Sequence, residues 1–463
     1  MFFSHIGTSA KNLFRNVYPV RVFRSIMKNR ILAGFVFSIV STVSIVAQTN
    51  APSPTPTRQR IVVSNATSTP VTSPTATPSK VVVVTNNLPI VNPSPKPTTL
   101  PTSTPVAQTN NSIQTITPQI IPFTSLRFSE IKSKIAEAKR EMAARPIPTA
   151  LTDSFLITDV VRVAFYDYDA KKVDYLVMTK DSFLRRDAVY IISTTYSKNV
   201  TVRIIRANGV NTPITITSQN NKPYLPLLVQ YPVVRGGTYM ETAFYISTYP
   251  GIVTPEVVST GKIYMRNTLD VAREKLRERG VFIAPIVTDI AERLAIVEHI
   301  DHQRFWTENH GTLFNEVYAL YALNEGQTYR YSVSSAGAGG MVQMIPATYR
   351  MVRSRYYNIP LMPDFVEGMR NHPNAAQAML LYMQMTWNDL ISNPTVYEAV
   401  QNKIATPAEL MSAGYNSNPA KLPGYIKRGG AGWKFLIPRE TQIYLQINVA
   451  MDKFVPLSTP RTK

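Results

Sequence analysis

The chain has no cysteine among its 463 residues. Disulfides, thiol nucleophiles and cysteine-based metal sites are therefore excluded. Acidic residues are also absent before Glu130, whereas eleven lysines and arginines occur there. The net charge of +20 suits an anionic partner, such as an anionic cell-wall polymer or a membrane surface. Nucleic acid is not expected as a partner, because no basic motif lies on a recognition helix and an export signal is present.

The export signal is an apolar run near the amino terminus. Lys28 and Arg30 precede residues 31–47, which are uncharged and mostly apolar. A basic stretch followed by such a run predicts a signal peptide or a membrane anchor over residues 1–49, and the run is at the short limit for a membrane span. Met27 is an alternative start, because the segment then begins with a basic stretch. We expect the folded part of the chain to be exported to the cell envelope, either anchored or secreted.

Residues 50–124 are rich in proline, serine and threonine, with 14 prolines. A segment of this composition cannot bury enough apolar surface to offset its ordering entropy, so we predict a disordered stalk. Its short apolar islands are too isolated to form a domain, although Val81–Val84 could add a strand elsewhere. Residues 125–150 then carry charged and apolar residues at helical spacing, which predicts a connector helix.

Strand patterns dominate residues 151–266. About seven β-branched and aromatic segments are separated by turn pairs such as Asn208-Gly209 and Gly236-Gly237. This spacing predicts an accessory antiparallel β-sandwich, and an immunoglobulin-like fold is one arrangement of this kind. No catalytic group of residues appears in it, so a spacer and a wall- or partner-binding module are both open interpretations.

The remaining elements, in residues 267–455, are nearly all helical. The first helix carries Glu298, His299 and His302, and His310 follows closely. Glu298 and His302 are one helical turn apart, but no third ligand is fixed by the spacing, so we expect no metal site. Glu298 is also the second candidate for a catalytic acid.

The first candidate for that acid is Glu325. It follows the aromatic residues Phe314, Tyr318 and Tyr321 at helical spacing, and Gly326 is a typical helix-terminating residue. Desolvation by these aromatic rings and the negative end of the helix dipole would both favour a protonated carboxyl, as a general acid requires. A glycine- and serine-rich loop follows, in which backbone can approach a ligand closely.

This region resembles the catalytic core of the soluble lytic transglycosylase-like family, which shares its fold with goose-type lysozyme. The resemblance extends over roughly 160–170 residues, a normal size for one domain. Its motifs occur in the family's order: Glu325, Ser334, Gly337–Gln343 with Pro346-Ala347-Thr348, then Ala413–Ser417, and Pro438–Tyr444. Gly326 after the glutamate and the Met341-Val342 pair depart from the pattern, as does the displaced glycine in Ala413–Ser417.

The resemblance implies an all-α lysozyme-like catalytic domain over residues 267–455. It also implies a peptidoglycan lytic transglycosylase that needs no cofactor and cleaves the bond between N-acetylmuramic acid and N-acetylglucosamine. One glutamate, Glu325 in this register, would protonate the glycosidic oxygen and then activate the muramoyl 6-hydroxyl to close a 1,6-anhydro ring. The residues implied to bind the glycan strand are Ser334, Gln343, Tyr415, Asn416 and Glu440.

Two other functions are compatible with the sequence. A muramidase would hydrolyse the same bond, ordinarily with a second carboxylate, for which Asp364, Glu367 and Glu440 are the candidates. A non-catalytic cell-wall-binding protein would keep the fold without turnover, and the presence of Glu325 argues against it.

Overall fold

The computed structural model describes residues 82–83, 126–145, 157–457 and 459–462, which belong to one compact unit within residues 76–463. The predicted signal or anchor and nearly all of the stalk lie outside these residues. Val82–Val83, from an apolar island of the stalk, forms a two-residue strand. Among the described residues no helix is both long and apolar enough to cross a bilayer.

Each of the seven segments with a strand pattern in residues 151–266 contains one strand, and Val82–Val83 adds an eighth. The strands are β1 (Val82–Val83), β2 (Val160–Asp167), β3 (Lys172–Thr179), β4 (Val189–Ser193), β5 (Asn199–Ile204), β6 (Ile214–Ser218), β7 (Pro223–Arg235) and β8 (Thr238–Tyr245). They form one sheet in the order β1-β4-β5-β6-β7-β2-β3, and β8 also pairs with β7. All pairs are antiparallel except β1 with β4.

The prediction of a β-sandwich is wrong, because these strands form one curled sheet instead of two packed sheets. The 13-residue strand β7 pairs in turn with β6, β2 and β8, and bulges interrupt its pairing with β2 and β8. Bulges increase twist and bend a sheet. The curl brings the end of β4 to β3, where the Thr195 amide donates to the Tyr175 carbonyl at 2.8 Å. The result is a half-barrel.

The helices are α1 (Phe128–Ala144), α2 (Lys180–Phe183), α3 (Pro255–Glu278), α4 (Pro285–Val297), α5 (His302–Thr307), α6 (His310–Leu323), α7 (Pro346–Arg355), α8 (Phe365–Arg370), α9 (His372–Ile391), α10 (Pro394–Gln401), α11 (Pro407–Asn416), α12 (Leu422–Gly429) and α13 (Arg439–Phe454). Helix α1 lies within the predicted connector and buries Ile131, Ala138 and Met142. It packs on the sheet through β7, and all eight residues of β2 are buried as well.

The prediction of a separate all-α lysozyme-like domain is also wrong. One hydrophobic cluster runs from α1 through the sheet into α3, α4, α6 and α9. Asn324 joins the two parts directly, since its side-chain amide accepts from the Ile246 amide at 2.9 Å and donates to the Ile246 carbonyl at 2.8 Å. The predicted boundary between residues 266 and 267 falls inside α3, a continuous helix that begins at Pro255 after the N-cap Thr254.

The tail after α13 folds back onto the helices. Arg461 has a side chain only 4% exposed and contacts Asp270 of α3 and Asp289 and Glu292 of α4. The polar sequence beyond Phe454 predicts a frayed tail, whereas these ion pairs hold it against the helices. The second hydrophobic cluster, around Trp433, packs α10 to α13 together beside the main core.

Candidate functional site

A cleft of about 600 Å³ lies among α4, the glycine-rich loop, α11 and the start of α13. All five residues that the motif resemblance assigns to substrate binding line this cleft. They come from three separate stretches of the chain and are Ser334, Gln343, Tyr415, Asn416 and Glu440. The cleft is therefore the candidate active site. A general acid in it would be a carboxyl group.

That carboxylate is Glu298, which lies at the carboxyl end of α4 and lines the cleft. The helix is apolar, with Leu294, Ile296 and Val297 buried, so its last turn carries Glu298 into the protein interior. The hydroxyl of Tyr444 on α13 donates to Glu298 Oε1 at 2.7 Å. Glu298 is partly buried and lines the cleft.

Burial raises the pKa of Glu298 to about 8, and the negative charge of Glu440 acts in the same direction. The hydrogen bond from Tyr444 opposes this shift by stabilising the anion. Desolvation is the larger of these effects, so the protonated form of Glu298 predominates at neutral pH. A carboxyl with this pKa can donate a proton and then take one back near the same pH.

Glu325 is outside the cleft. Helix α6 ends at Leu323, and Gly326 has the predicted left-handed conformation with φ +72°. Phe314, Tyr318 and Tyr321 are buried, but Glu325 is exposed and lies 3.2 Å from Lys132 Nζ of α1. The helix stops before the aromatic stripe reaches Glu325, and Asn324 occupies the buried position instead.

The glycine-rich loop is fixed by its own hydrogen bonds. The Ser334 amide donates to the Ala338 carbonyl at 2.9 Å, and Ser334 Oγ accepts from the Ala338 amide at 3.0 Å. Gly340 has φ +71°, and a Cβ there would lie 2.2 Å from the Met369 carbonyl oxygen. Glycine at this position therefore lets the loop pack directly against α8.

Gln343 follows this loop in the left-handed region, with φ 46°. Its Nε2 donates to the Gly340 carbonyl at 2.8 Å and to Ser332 Oγ at 3.3 Å. Both donors of the side-chain amide are thus engaged by the protein. The carbonyl oxygen Oε1 is the atom that Gln343 can offer to an N–H group of a ligand.

Tyr415 and Asn416 lie at the end of α11. Unlike Gln343, which offers an acceptor, Asn416 offers hydrogen-bond donors to the cleft. The Tyr415 hydroxyl donates to the Val342 carbonyl at 2.7 Å, so its ring forms part of the cleft wall. Asn416 Oδ1 accepts from Thr441 Oγ1 at 2.8 Å, which leaves the side-chain N–H groups to donate. An acceptor at Gln343 and a donor at Asn416 together match the N–H and C=O of an acetamido group.

Two of the other three predicted carboxylates are engaged elsewhere. Asp364 caps α8 by accepting from the Glu367 amide at 2.8 Å, and Glu367 pairs with Arg370 at 2.7 Å. Neither lines the cleft, whereas Glu440 is exposed at its rim in the first turn of α13. Glu440 is therefore the second carboxylate of this site.

Two of the three histidines near Glu298, His299 and His310, pack against aromatic rings. His299 Nε2 donates to the Met341 carbonyl at 2.9 Å, and the ring stacks on Tyr329 with centroids 3.4 Å apart. Burial lowers the pKa of His299 to about 3, so this ring stays neutral. His310 stacks on Phe305, and His302 lies at the edge of the cleft. Within the described residues no three carboxylate or histidine side chains are grouped as metal ligands.

Two residues of the site were not assigned a role from the sequence. Tyr444 lies in the closing Pro438–Tyr444 motif, but nothing in that motif shows that its hydroxyl reaches Glu298. Tyr382 of α9 lines the cleft and stacks edge-on against Tyr415 at 5.7 Å. Its signal was only the apolar pattern of a core helix.

Comparisons with known proteins identify no relative: no family model, no curated protein and no solved structure matches this chain.

Proposed function

We propose that this chain is an exported peptidoglycan lytic transglycosylase whose single catalytic acid and base is Glu298. The observation that carries the proposal is a carboxyl with a pKa of about 8 in a cleft that gathers all five predicted binding residues. The short sequence motifs around that cleft support the same reaction class. Export is inferred from the apolar run at residues 31–47.

In the first step, Glu298 donates its proton to the glycosidic oxygen between N-acetylmuramic acid and N-acetylglucosamine. The bond to C1 of the muramoyl residue breaks, and positive charge develops on that sugar ring. Tyr444 then stabilises the new carboxylate through its hydrogen bond to Oε1. The other oxygen, Oε2, is the atom that would exchange the proton with substrate.

In the second step, the Glu298 carboxylate takes the proton of the muramoyl 6-hydroxyl, and that oxygen bonds to C1. The product is a 1,6-anhydro end, and Glu298 is protonated again without consuming water. Gln343 and Asn416 would hold the acetamido groups by accepting and donating hydrogen bonds. One carboxyl with a pKa near neutrality is sufficient for both proton transfers.

Glu298→Gln and Glu325→Gln test this assignment on purified sacculi, with 1,6-anhydro-muropeptides as the measured product. Glutamine preserves volume but cannot transfer the proton, so we expect Glu298→Gln to lose roughly 10²–10⁴-fold or more in rate. Glu325→Gln is the matched control at a helix end outside the cleft, and its rate should stay within a few-fold. The reverse result, with Glu325→Gln inactive and Glu298→Gln active, would refute Glu298 as the catalytic group.

Hydrolysis is the second candidate, and it is favoured by the position of Glu440 at the rim of the same cleft. A second carboxylate could activate water, as in glycosidases that use a pair of acids. The products differ in mass by one water. Reducing ends that disappear in Glu440→Gln would identify a muramidase, whereas anhydro ends that persist in Glu440→Gln would identify a transglycosylase.

A further inference from the structure

A second and larger cavity, of about 910 Å³, lies between the curled sheet and helices α5 and α6. We call it the sheet-side cavity, and the loop at residues 205–211 together with the end of β7 forms one of its walls. Glu298, Ile300 and Gln343 line both the cleft and this cavity. The two spaces therefore meet at the proposed catalytic group.

The wall that comes from the sheet part of the molecule is cationic. Lys180, Arg186, Arg206 and Arg235 line it. Arg206 is half-buried, and among the described residues no carboxylate lies within ion-pair distance of it. Burial lowers the pKa of Arg206, and the neighbouring charge of Arg304 acts in the same direction, while the charges of Glu316, Glu308 and Asp301 act against this shift. An anion beside Arg206 would relieve both effects.

The opposite wall cancels only part of this charge, because its three carboxylates, Asp301, Glu308 and Glu316, exceed Arg304 by two charges against four cations on the sheet side. Glu308 and Glu316 are both held by Arg304, at 2.6 and 2.9 Å. Asp301 caps α5 by accepting from the Arg304 amide at 2.8 Å. The Lys180 ammonium donates to the Pro232 carbonyl at 2.8 Å, so it also keeps its charge available to a ligand.

We infer that the sheet-side cavity binds the carboxylate-bearing stem peptide of the glycan strand, with Arg206 as its main anion-binding residue. This inference rests on the proposed function, because it places the muramoyl sugar at Glu298. The lactyl ether of that sugar carries the peptide, whose carboxylates are the nearest negative charges of the substrate. The β part of the chain would thus take part in substrate selection.

The test compares soluble glycan strands that retain their stem peptides with strands from which an amidase has removed them. On peptide-bearing strands, we expect Arg206→Gln to lower kcat/KM by roughly 10- to 100-fold, as for a lost hydrogen bond to a charged group. On peptide-free strands it should change little. Arg206→Lys, which retains the charge, should recover part of the loss. Arg203→Gln is the matched control, since Arg203 is exposed on β5 and does not line the cavity.

An equal loss on both kinds of strand would overturn the stem-peptide assignment and point to sugar binding. So would a full effect of Arg203→Gln, which would indicate a long-range charge effect. If the unmodified protein cleaves neither strand, the proposed function fails. Calorimetric titration with a soluble muramyl peptide then decides separately: binding that Arg206→Gln weakens supports the cavity assignment, and absence of binding to the unmodified protein refutes it.

Discussion

At the scale of single residues, the charge state of Glu298 is set by its surroundings. Burial in the cleft wall and the nearby charge of Glu440 favour the protonated form, and Tyr444 partly compensates. His299, the adjacent residue, is held neutral by burial and by the nearby His372, although its hydrogen bond to the Met341 carbonyl acts in the opposite direction. The charge of the Glu298 carboxyl should therefore change near neutral pH, whereas the charge of His299 should not.

Glu298 should make the stability of the fold depend on pH in a defined window. Its pKa is about 8 in the folded protein, against an ordinary value of 4.5. Between these values the unfolded chain has released the proton that the folded chain retains, so stability falls as pH rises, by up to about 1.4 kcal/mol per pH unit. Above about pH 8 the carboxyl is ionised in both states, so the decline in stability stops.

Urea unfolding at pH 5, 6, 7, 8 and 9 measures the effect, with Glu298→Gln as the reference that cancels all other titrating groups. The free energy of unfolding of the unmodified protein should decline relative to Glu298→Gln from pH 5 to 8. Activity should fall above about pH 8, because the general acid is then ionised. Parallel stability curves for the two proteins would show that the pKa of Glu298 is not raised.

The sequence was sufficient to select five residues that the structure brings together in one cleft, and their role in binding stays a prediction. It was not sufficient to place Glu325. The aromatic spacing predicted a stripe that ends on that residue, but α6 ends two residues earlier and Asn324 turns inward to bond Ile246. Where a helix ends is decided by partners distant in sequence, and these are absent from a local pattern.

At the scale of elements, α3 and α6 are in close contact through one glycine. A Cβ at Gly261 would lie 1.9 Å from the Tyr318 carbonyl oxygen. This backbone contact positions α6, whose end carries Asn324 to the sheet. Helix α3 is therefore a central element of the core.

Gly261→Ala should destabilise the fold by about 1–3 kcal/mol, because the new methyl group forces the two helices apart. Gly424→Ala is the matched control on α12, where an added Cβ would meet only the end of the Arg428 side chain at 3.4 Å. The midpoint of urea unfolding measures both. A loss in Gly424→Ala as large as that in Gly261→Ala would show that the effect comes from changing a helical glycine and not from this contact.

The individual strands could be predicted from alternation and turn pairs, but their layering could not. The same seven segments are compatible with two sheets or with one curled sheet. The long strand β7, with its bulges, selects the curl. A bulge needs only one extra residue, which leaves little trace in a pattern of apolar positions.

At the scale of the whole molecule, Arg461 connects the tail to two helices. Its guanidinium contacts Asp270 at 2.5 Å, Asp289 at 2.8 Å and Glu292 at 2.7 Å. Burial raises the pKa of Glu292, while the charge of Arg461 lowers it. Burial is the larger effect, and the ion pairs with Arg461 oppose it by favouring the charged form of Glu292.

Arg461→Ala should destabilise the protein by about 3 kcal/mol, since removing one partner leaves buried carboxylates unpaired. Thr462→Ala changes the exposed neighbour and should have almost no effect. Thermal unfolding followed by circular dichroism gives both values. If the two variants melt together with the unmodified protein, the tail does not contribute to the stability of the helices.

The core shared by the sheet and the helices was hidden from the sequence, because a domain boundary was expected where composition changes from strand to helix patterns. Apolar faces in both parts have the same appearance whether they are buried within one part or against the other. Contacts such as Asn324 with Ile246 depend on pairs 78 residues apart. Such pairs join the strand-rich and helix-rich parts of the chain into one core.

One consequence of this common core concerns how a glycan strand would be chosen. The walls of the sheet-side cavity come from the curled sheet on one side and from α5 and α6 on the other, and both are parts of one packed body. Because both walls belong to one hydrophobic cluster, we expect the width of the passage to change little when a polymer binds. We therefore expect the protein to select strands by their cross-section, without closing around them and reopening.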